Sequence, residues 1–599
     1  MGYKNYLRLR NFAILASAAA GGKACLITLA DEWPEVNYAL RKLFHRDDHS
    51  NKVPSNYTED GLEYKRPRVV VIGSGWASIS LIQKLDPALV DVKVISPRSY
   101  FFYTPLLAGV STGSVGHSSI TESIRTHTSR FGDDSYLRGN CVGVDFDNKT
   151  IKVQLLEGDQ SEQLLPPSAP YLSGAKSSSS SSSSSPPSPP QRHTTSVNVP
   201  YDTLVVAIGA QTNTFGIPGV SANALYMKDL GDALALQRRM LNQLERGAAL
   251  LAAGAKEGEI DEALHWIVVG GGPTGVEVTA EICDFINEEV ATFFPTLKGR
   301  VKVTLVEGTS KLLGMFDPAI SEYAATTLRS QGATILLNSP LSSATARTIT
   351  IAPPAGGASA AAAAAPPLTV PHGLLVWSGG IAPLPLTLDL IASVRRRTAS
   401  EEEGTKSCRQ AGAARPPRGL PVNPDLSVSG LEGRGVYAIG DCAEGAGPPT
   451  AQAAYQQGFF LGRILREKHW KRYVGGDKGD DVADDESKRN IFKMVNYGSL
   501  AYVGGGKGVA DLKVALWDHH PRKDGGVESE AHTILNGGGA FAIWRSLYFA
   551  KLLSTRNRAQ VLFDWLQVAI FGRDISTPYI NVDEHKPPTP PPQAAGVKK

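Results

Sequence analysis

The sequence predicts an α/β fold with two Rossmann-like dinucleotide-binding domains and a helical C-terminal segment. Two units read strand, glycine turn, helix, strand: one opens at Val69-Val70-Val71-Ile72, the other at Trp266-Ile267-Val268-Val269. Units of this kind build parallel sheets. Two further strands run straight into glycine, at Ile208-Gly209-Ala210 and at Ile439-Gly440-Asp441.

At 599 residues the chain is too long for one core. It divides into an N-terminal extension (1–64), a nucleotide-binding domain (65–215), a second such domain (216–378), a return to the first (379–465), an acidic linker (466–489), a C-terminal domain (490–580) and a tail (581–599). The extension carries Lys4, Arg8 and Arg10 and no acid before Asp31, the composition of an organelle transit peptide. Its apolar stretch, Asn11 to Ala30, is interrupted by Lys23, so a weak anchor or a loose arm are the other readings. No uninterrupted apolar run reaches the length of a membrane span.

The composition, 42% hydrophobic and 20% charged, is that of a globular protein. A net charge of +3 argues against a nucleic-acid partner, which calls for concentrated Lys and Arg. The five cysteines (Cys25, Cys141, Cys283, Cys408, Cys442) include no C-x-x-C pair. That speaks against a disulfide framework, a cysteine zinc site and a redox dithiol. No metal site is expected; the acidic stretch at 474–487 lacks the alternating ligands of a calcium loop.

In the first unit the strand enters Gly73-Ser74-Gly75-Trp76-Ala77-Ser78, with Ser78 where a third glycine is usual. A hydroxymethyl is small enough for close helix–strand packing. Ser96-Pro97-Arg98 follows the next strand in place of a ribose-binding acid. Three stretches read as disordered insertions: the serine and proline run at 171–200, the Ala/Gly/Pro run at 353–367, and 474–487.

The second unit carries Gly270, Gly272 and Gly275 in G-x-G-x-x-G spacing, with Pro273 and Thr274 opening the helix. These glycines permit the turn, the approach of a pyrophosphate and close packing, and the helix N-terminus offers free N–H groups. Glu307 ends the next strand and can accept from the ribose hydroxyls, while repelling a 2′-phosphate. NADH is therefore expected over NADPH. A structural glycine turn and a solvated strand-end Glu are the bland alternatives.

With these motifs in this order, the sequence resembles the type II, alternative, non-pumping NADH:quinone oxidoreductases of mitochondria. The resemblance rests on Gly-Ser-Gly-Trp at 73–76, Ile-Ser-Pro-Arg-Ser-Tyr-Phe-Phe-Tyr-Thr-Pro-Leu-Leu at 95–107, Gly-Gly-Gly-Pro-Thr-Gly-Val-Glu at 270–277 and Ala-Gln-Ala-Ala-Tyr-Gln-Gln-Gly at 451–458. Leu-Ala-Tyr-Val-Gly at 500–504, Arg-Asn-Arg at 556–558 and Phe-Gly-Arg-Asp-Ile-Ser at 571–576 extend it to the C-terminus.

The resemblance implies FAD in the first domain, held by Gly73, Ser74, Gly75, Trp76, Ser96, Pro97, Arg98, Thr104, Gly209, Gly440, Asp441 and Ala451. It implies NADH in the second, with Gly379, in Trp377 to Gly380, under the nicotinamide. Gln452 and Gln456 are implied as quinone contacts and Glu277 as the residue arranging hydride transfer and quinone protonation. Without it, the two Gln are solvated and Glu277 is a helix-dipole acid. The implied partner is membrane ubiquinone and the implied place the mitochondrial inner membrane, with a plastid membrane as alternative. A reductase with a soluble acceptor and a nucleotide-binding scaffold are the other readings.

The stretch Ala540 to Phe571 is helix-like, and Trp544, Leu547, Tyr548 and Leu552 share a face. With Arg545, Lys551, Arg556, Arg558 and Arg573 nearby, this face is expected to lie on the membrane surface. Packing on the core, or a homodimer contact, is the other reading.

Overall fold

The computed structural model describes residues 65–156, 195–353, 366–402, 417–475, 491–514 and 531–576. The expected N-terminal extension and tail, and most of the three expected insertions, lie outside these residues.

Along the chain the elements that carry the site are β1 (Arg68–Ile72), α1 (Trp76–Lys84), β2 (Asp91–Ser96), β3 (Tyr136–Asp145), β4 (Thr150–Leu155), β5 (Ser196–Pro200), β6 (Thr203–Val206) and β7 (Ala210–Thr212). Next come β8 (Leu225–Tyr226), α2 (Leu230–Ala252), β9 (His265–Val269), α3 (Pro273–Phe285), β10 (Lys302–Val306), β11 (Ala333–Leu336), β12 (Leu374–Trp377) and β13 (Ile381–Pro383). The last are β14 (Val436–Ala438), α4 (Ala451–Gly475), β15 (Ser499–Gly504), β16 (Lys507–Val514), β17 (Ala531–Asn536), α5 (Gly537–Ala550) and α6 (Thr555–Phe571).

The first sheet has the order β14-β6-β1-β2-β3-β4-β5 and is parallel from β14 to β3. The second has the order β8-β12-β9-β10-β11 and is parallel throughout. In both, the central strands are buried along their length, as expected of parallel strands covered on two faces. The chain crosses between lobes twice, and the crossings pair antiparallel as β7 and β13. The meander β15-β16-β17 lays β15 along α3.

α4 packs on α1 so closely that a Cβ on Gly458 would lie 2.2 Å from the Ala77 carbonyl oxygen. Ser78 is fully buried in the same helix.

Three expectations are corrected. Ser196–Pro200, inside the expected insertion 171–200, is β5, which pairs with β4 and buries Val199. Two valines beside a serine and proline run are too short a signal to read in isolation. Residues 466–475, assigned to an acidic linker, are the last turns of α4.

The third correction concerns the C-terminal face. Ala540 to Phe571 is two helices broken at 551–554, and Trp544 and Leu552 are core residues. Trp544 stacks on Phe541 and meets Tyr548, which itself packs on Tyr103. Three of the expected surface cations are structural. Arg545 lies over Phe541 and Trp565, and burial lowers its pKa to about 10. Arg558 donates to the Ala550 and Leu552 carbonyls, and Arg573 is buried against Glu281. The exposed apolar face belongs to α6: Leu562 44%, Phe563 63%, Ile570 47% and Phe571 75%. A period of 3.6 shows that a helix has an apolar stripe, and says nothing of whether protein or lipid covers it.

Candidate active site

In the first lobe, the glycine turn is held from below by side chains. Ser74 Oγ and Ser96 Oγ are 2.9 Å apart, and Ser74 also reaches the Arg98 carbonyl. Trp76 donates its indole N–H to Thr104 Oγ1 at 3.0 Å. Nothing stands within 4 Å of where a Cβ of Gly75 or Gly209 would be. Open space over the α1 N-terminus and beside a strand-end glycine fits the diphosphate-bearing FAD. Arg98 pairs with Asp229 at 2.6 Å, and Lys228 lies 3.4 Å from Asp441. These two pairs tie the turn before α2 to the expected FAD residues; Pro97 adjoins Arg98, and Ala451 opens α4.

In the second lobe a Cβ on Gly275 would lie 1.8 Å from the Gly270 carbonyl oxygen, so only glycine fits. The space over Gly272 is open, and Pro273 takes the first helical position of α3, with Thr274 exposed after it. Glu307 accepts from the Gly271 amide at 2.5 Å and from the Thr309 amide at 2.7 Å. The carboxylate therefore fixes the loop and keeps lone pairs for a ribose. Ser378 Oγ donates to the Val269 carbonyl at 2.9 Å, placing Gly379 at the edge of the glycine loop.

Glu277 lies one turn into α3, where the second lobe meets the C-terminal domain. Its carboxylate accepts from the Tyr502 amide at 3.3 Å. Burial pushes its pKa up to about 8, against the lowering effect of that bond. The next acids on the same helix face are buried. Glu281 accepts from Thr112 Oγ1 at 2.8 Å and meets Arg573 at 3.4 Å. Asp284 accepts from the Tyr502 phenol and from the Gly505 amide, and burial raises it to about 7.

The two expected quinone amides are not equivalent. Gln456 is bonded at both ends to the Val495 backbone, at 2.8 and 2.9 Å, and so also holds the 491–498 segment against α4. Gln452 is half-buried one turn earlier. The residue that reaches the first lobe is Gln457, which accepts from the Gly440 amide at 2.6 Å and donates to the Ala446 carbonyl.

A family model for pyridine nucleotide-disulphide oxidoreductases matches residues 67–458, and one for the NDH2 C-terminal domain matches residues 497–574. The chain belongs to the pyridine nucleotide-disulphide oxidoreductase family, in its type II NADH dehydrogenase branch. The mitochondrial external NADH-ubiquinone oxidoreductase 2 of Saccharomyces cerevisiae is 30% identical over 90% of this chain and 87% of its own. The mitochondrial internal alternative NAD(P)H-ubiquinone oxidoreductase A1 of Solanum tuberosum is 30% identical over 86% and 88%. The fold is that of Plasmodium falciparum NDH2, solved with NADH, at a TM-score of 0.66 and 24% identity, covering 86% of this chain and all of that one.

This type II dehydrogenase is an FAD- and NADH-dependent oxidoreductase. Several of its site-building residues escaped the sequence reading. Gln457 had a signal, since it is in helical phase with the buried Ala453 and Leu461. The 277, 281, 284 spacing likewise puts three acids on one face of α3. Tyr502 and Arg573 stand in the C-terminal motifs, but their partners could not be read, because these lie more than two hundred residues away.

Proposed function

We propose that the protein oxidises NADH and reduces membrane ubiquinone by two electrons, without pumping protons, at the mitochondrial inner membrane. The observation that carries this reading is the position of Glu277, which follows the 270–275 loop on α3 and accepts from the Tyr502 amide of the C-terminal domain. FAD held by the first lobe supplies the acceptor for hydride and the donor to quinone. The chain's own part is positional. Glu307 and the 270–275 loop orient NADH, Gln452 meets a quinone carbonyl, and Glu277 holds a proton beside it. Relatives bear both external and internal names, so the two faces of the membrane are distinguished by protease protection of intact organelles; import into plastids instead would move the whole assignment.

The quinone path is proposed to run between 491–497 and the α5–α6 junction. Ile491, Val495 and Tyr497 are exposed there, and Lys551 lies 5.9 Å from the Tyr497 ring. No described helix is long and apolar enough to cross a membrane. Attachment is therefore assigned to the open face of α6.

Gln452→Ala is expected to leave flavin reduction by NADH unchanged in stopped flow. Reoxidation by quinone should slow about tenfold, the value of one hydrogen bond to the reacting carbonyl. Slowed reduction with normal reoxidation would place the quinone on another face.

Glu307→Gln is expected to narrow the preference for NADH over NADPH by roughly tenfold or more in kcat/KM. Like charges ~4 Å apart repel by about 4 kcal/mol at an effective dielectric of ~20, a ceiling on the effect. An unchanged ratio removes Glu307 from cofactor choice.

A further inference from the structure

We propose that Phe215 forms the outer wall of the subsite for the nicotinamide half of NADH and slows the release of NAD+. The proposal rests on reading the 270–275 loop as the NADH site.

The order of the second sheet gives the direction of the dinucleotide. Glu307, which marks the adenosine side, ends β10 on one flank of β9. A dinucleotide whose diphosphate sits on the loop after β9 extends across the carboxyl ends of the sheet. Its other half therefore lies over the opposite flank, the end of β12, where Trp377 to Gly380 leave the sheet. Phe215 is at that end. Its ring meets the Trp377 ring edge-on at 6.3 Å, and a Cβ on Gly380 would stand 2.5 Å from its Cζ.

The ring is held there at a cost to the backbone. Phe215 has φ +52°, a region bulky L-residues avoid. The neighbourhood enforces it. The Phe215 amide donates to Asn213 Oδ1 at 2.8 Å, and the Trp377 indole N–H donates to the Asn213 and Gly379 carbonyls at 2.9 and 2.8 Å. Gly380 contributes the hollow the ring occupies. Yet the residue is 64% exposed. A strained aromatic that is fixed by two segments and left open on one side is out of place in a structural role alone, since strain of this kind collects at ligand clamps. The open face suits a flat, uncharged carboxamide-bearing ring.

The test uses the FAD-loaded enzyme and two variants. Phe215→Gly removes the ring while glycine adopts φ +52° freely, so the loop is kept. Phe215→Trp keeps an aromatic wall. In Phe215→Gly the KM for NADH should rise about five- to tenfold, the size of one aromatic contact, and NAD+ should dissociate faster from the reduced enzyme. Inhibition by ADP-ribose, which lacks nicotinamide, should be unchanged, and Phe215→Trp should restore most of the NADH affinity. Unchanged KM and NAD+ release in Phe215→Gly overturn the proposal, as does an equal weakening of ADP-ribose. Glu307→Gln serves as the control on the site itself: ADP-ribose affinity indifferent to it would overturn the NADH-site reading and this proposal with it, whereas a response there with a silent Phe215→Gly rejects the wall alone.

Discussion

Glu277→Gln is expected to leave NADH-driven flavin reduction within a fewfold of the unsubstituted enzyme and to slow quinone-driven reoxidation by about a hundredfold. That is the lower end of what a positioned proton donor contributes. Reduction of a quinone by NADH takes up one proton from solution, and Glu277 is an acid where the second lobe meets the C-terminal domain. Burial raises its pKa from 4.5 to about 8, so the neutral, donating form predominates at pH 7. The quinone half-reaction should therefore fall as pH rises through about 8, and Glu277→Gln should lack that limb. The linkage has the same sign for stability. A carboxyl whose folded pKa is raised favours the fold at low pH, and the advantage is lost between the unfolded value and about 8. Denaturation of Glu277→Gln should thus be flatter across that window. A variant with the same quinone rate and the same pH profile would reduce Glu277 to a packing residue.

Substituting Leu562, Phe563, Ile570 and Phe571 together by Ser should release the protein from anionic liposomes and lower activity with long-tailed quinones at least tenfold. Activity with short, soluble quinones should persist. The four side chains lie on the face of α6 opposite Asn557, Val561 and Trp565, which are buried, so the fold should survive. Burying a large apolar side chain in full is worth about 1.5–3 kcal/mol, and these are 44–75% exposed. The exposed cations beside them, Lys551 and Arg556, add about 1 kcal/mol each at an anionic surface. The apolar part is the larger, so binding should survive high salt in the unsubstituted protein. Co-sedimentation across a salt series, with flavin content as the folding control, reads this directly. A variant that still sediments fully moves the attachment elsewhere. One that stays free of liposomes only by changing from dimer to monomer marks the face as a subunit contact.

The pattern of local signals explains what could be read from the chain alone. Two glycine loops, each bracketed by apolar strands, fix two βαβ units, because a tight turn that admits a diphosphate tolerates little but glycine. The Gly440–Asp441 turn after a strand, the acid at Glu307 and the helix-opening Glu277 are equally local. Each depends on residues within one turn or one strand, so the sequence determined the fold class, the order of the lobes and the two glycine turns proposed to hold the nucleotides.

Tertiary structure decided the rest. Gln456 and Gln457 are neighbours of the same type, yet one bonds Val495 and the other the Gly440 amide, a difference set by the packing of Gly458 on Ala77. Trp544 and Phe563 are both apolar helix residues, and only the position of α5 against Tyr502 and Tyr103 makes one core and leaves the other open. Arg573 looked like a membrane cation until Glu281, nearly three hundred residues earlier, was placed beside it. Periodicity encodes that a face must be covered. What covers it, and which charge meets which, depends on contacts between distant segments that no local pattern records.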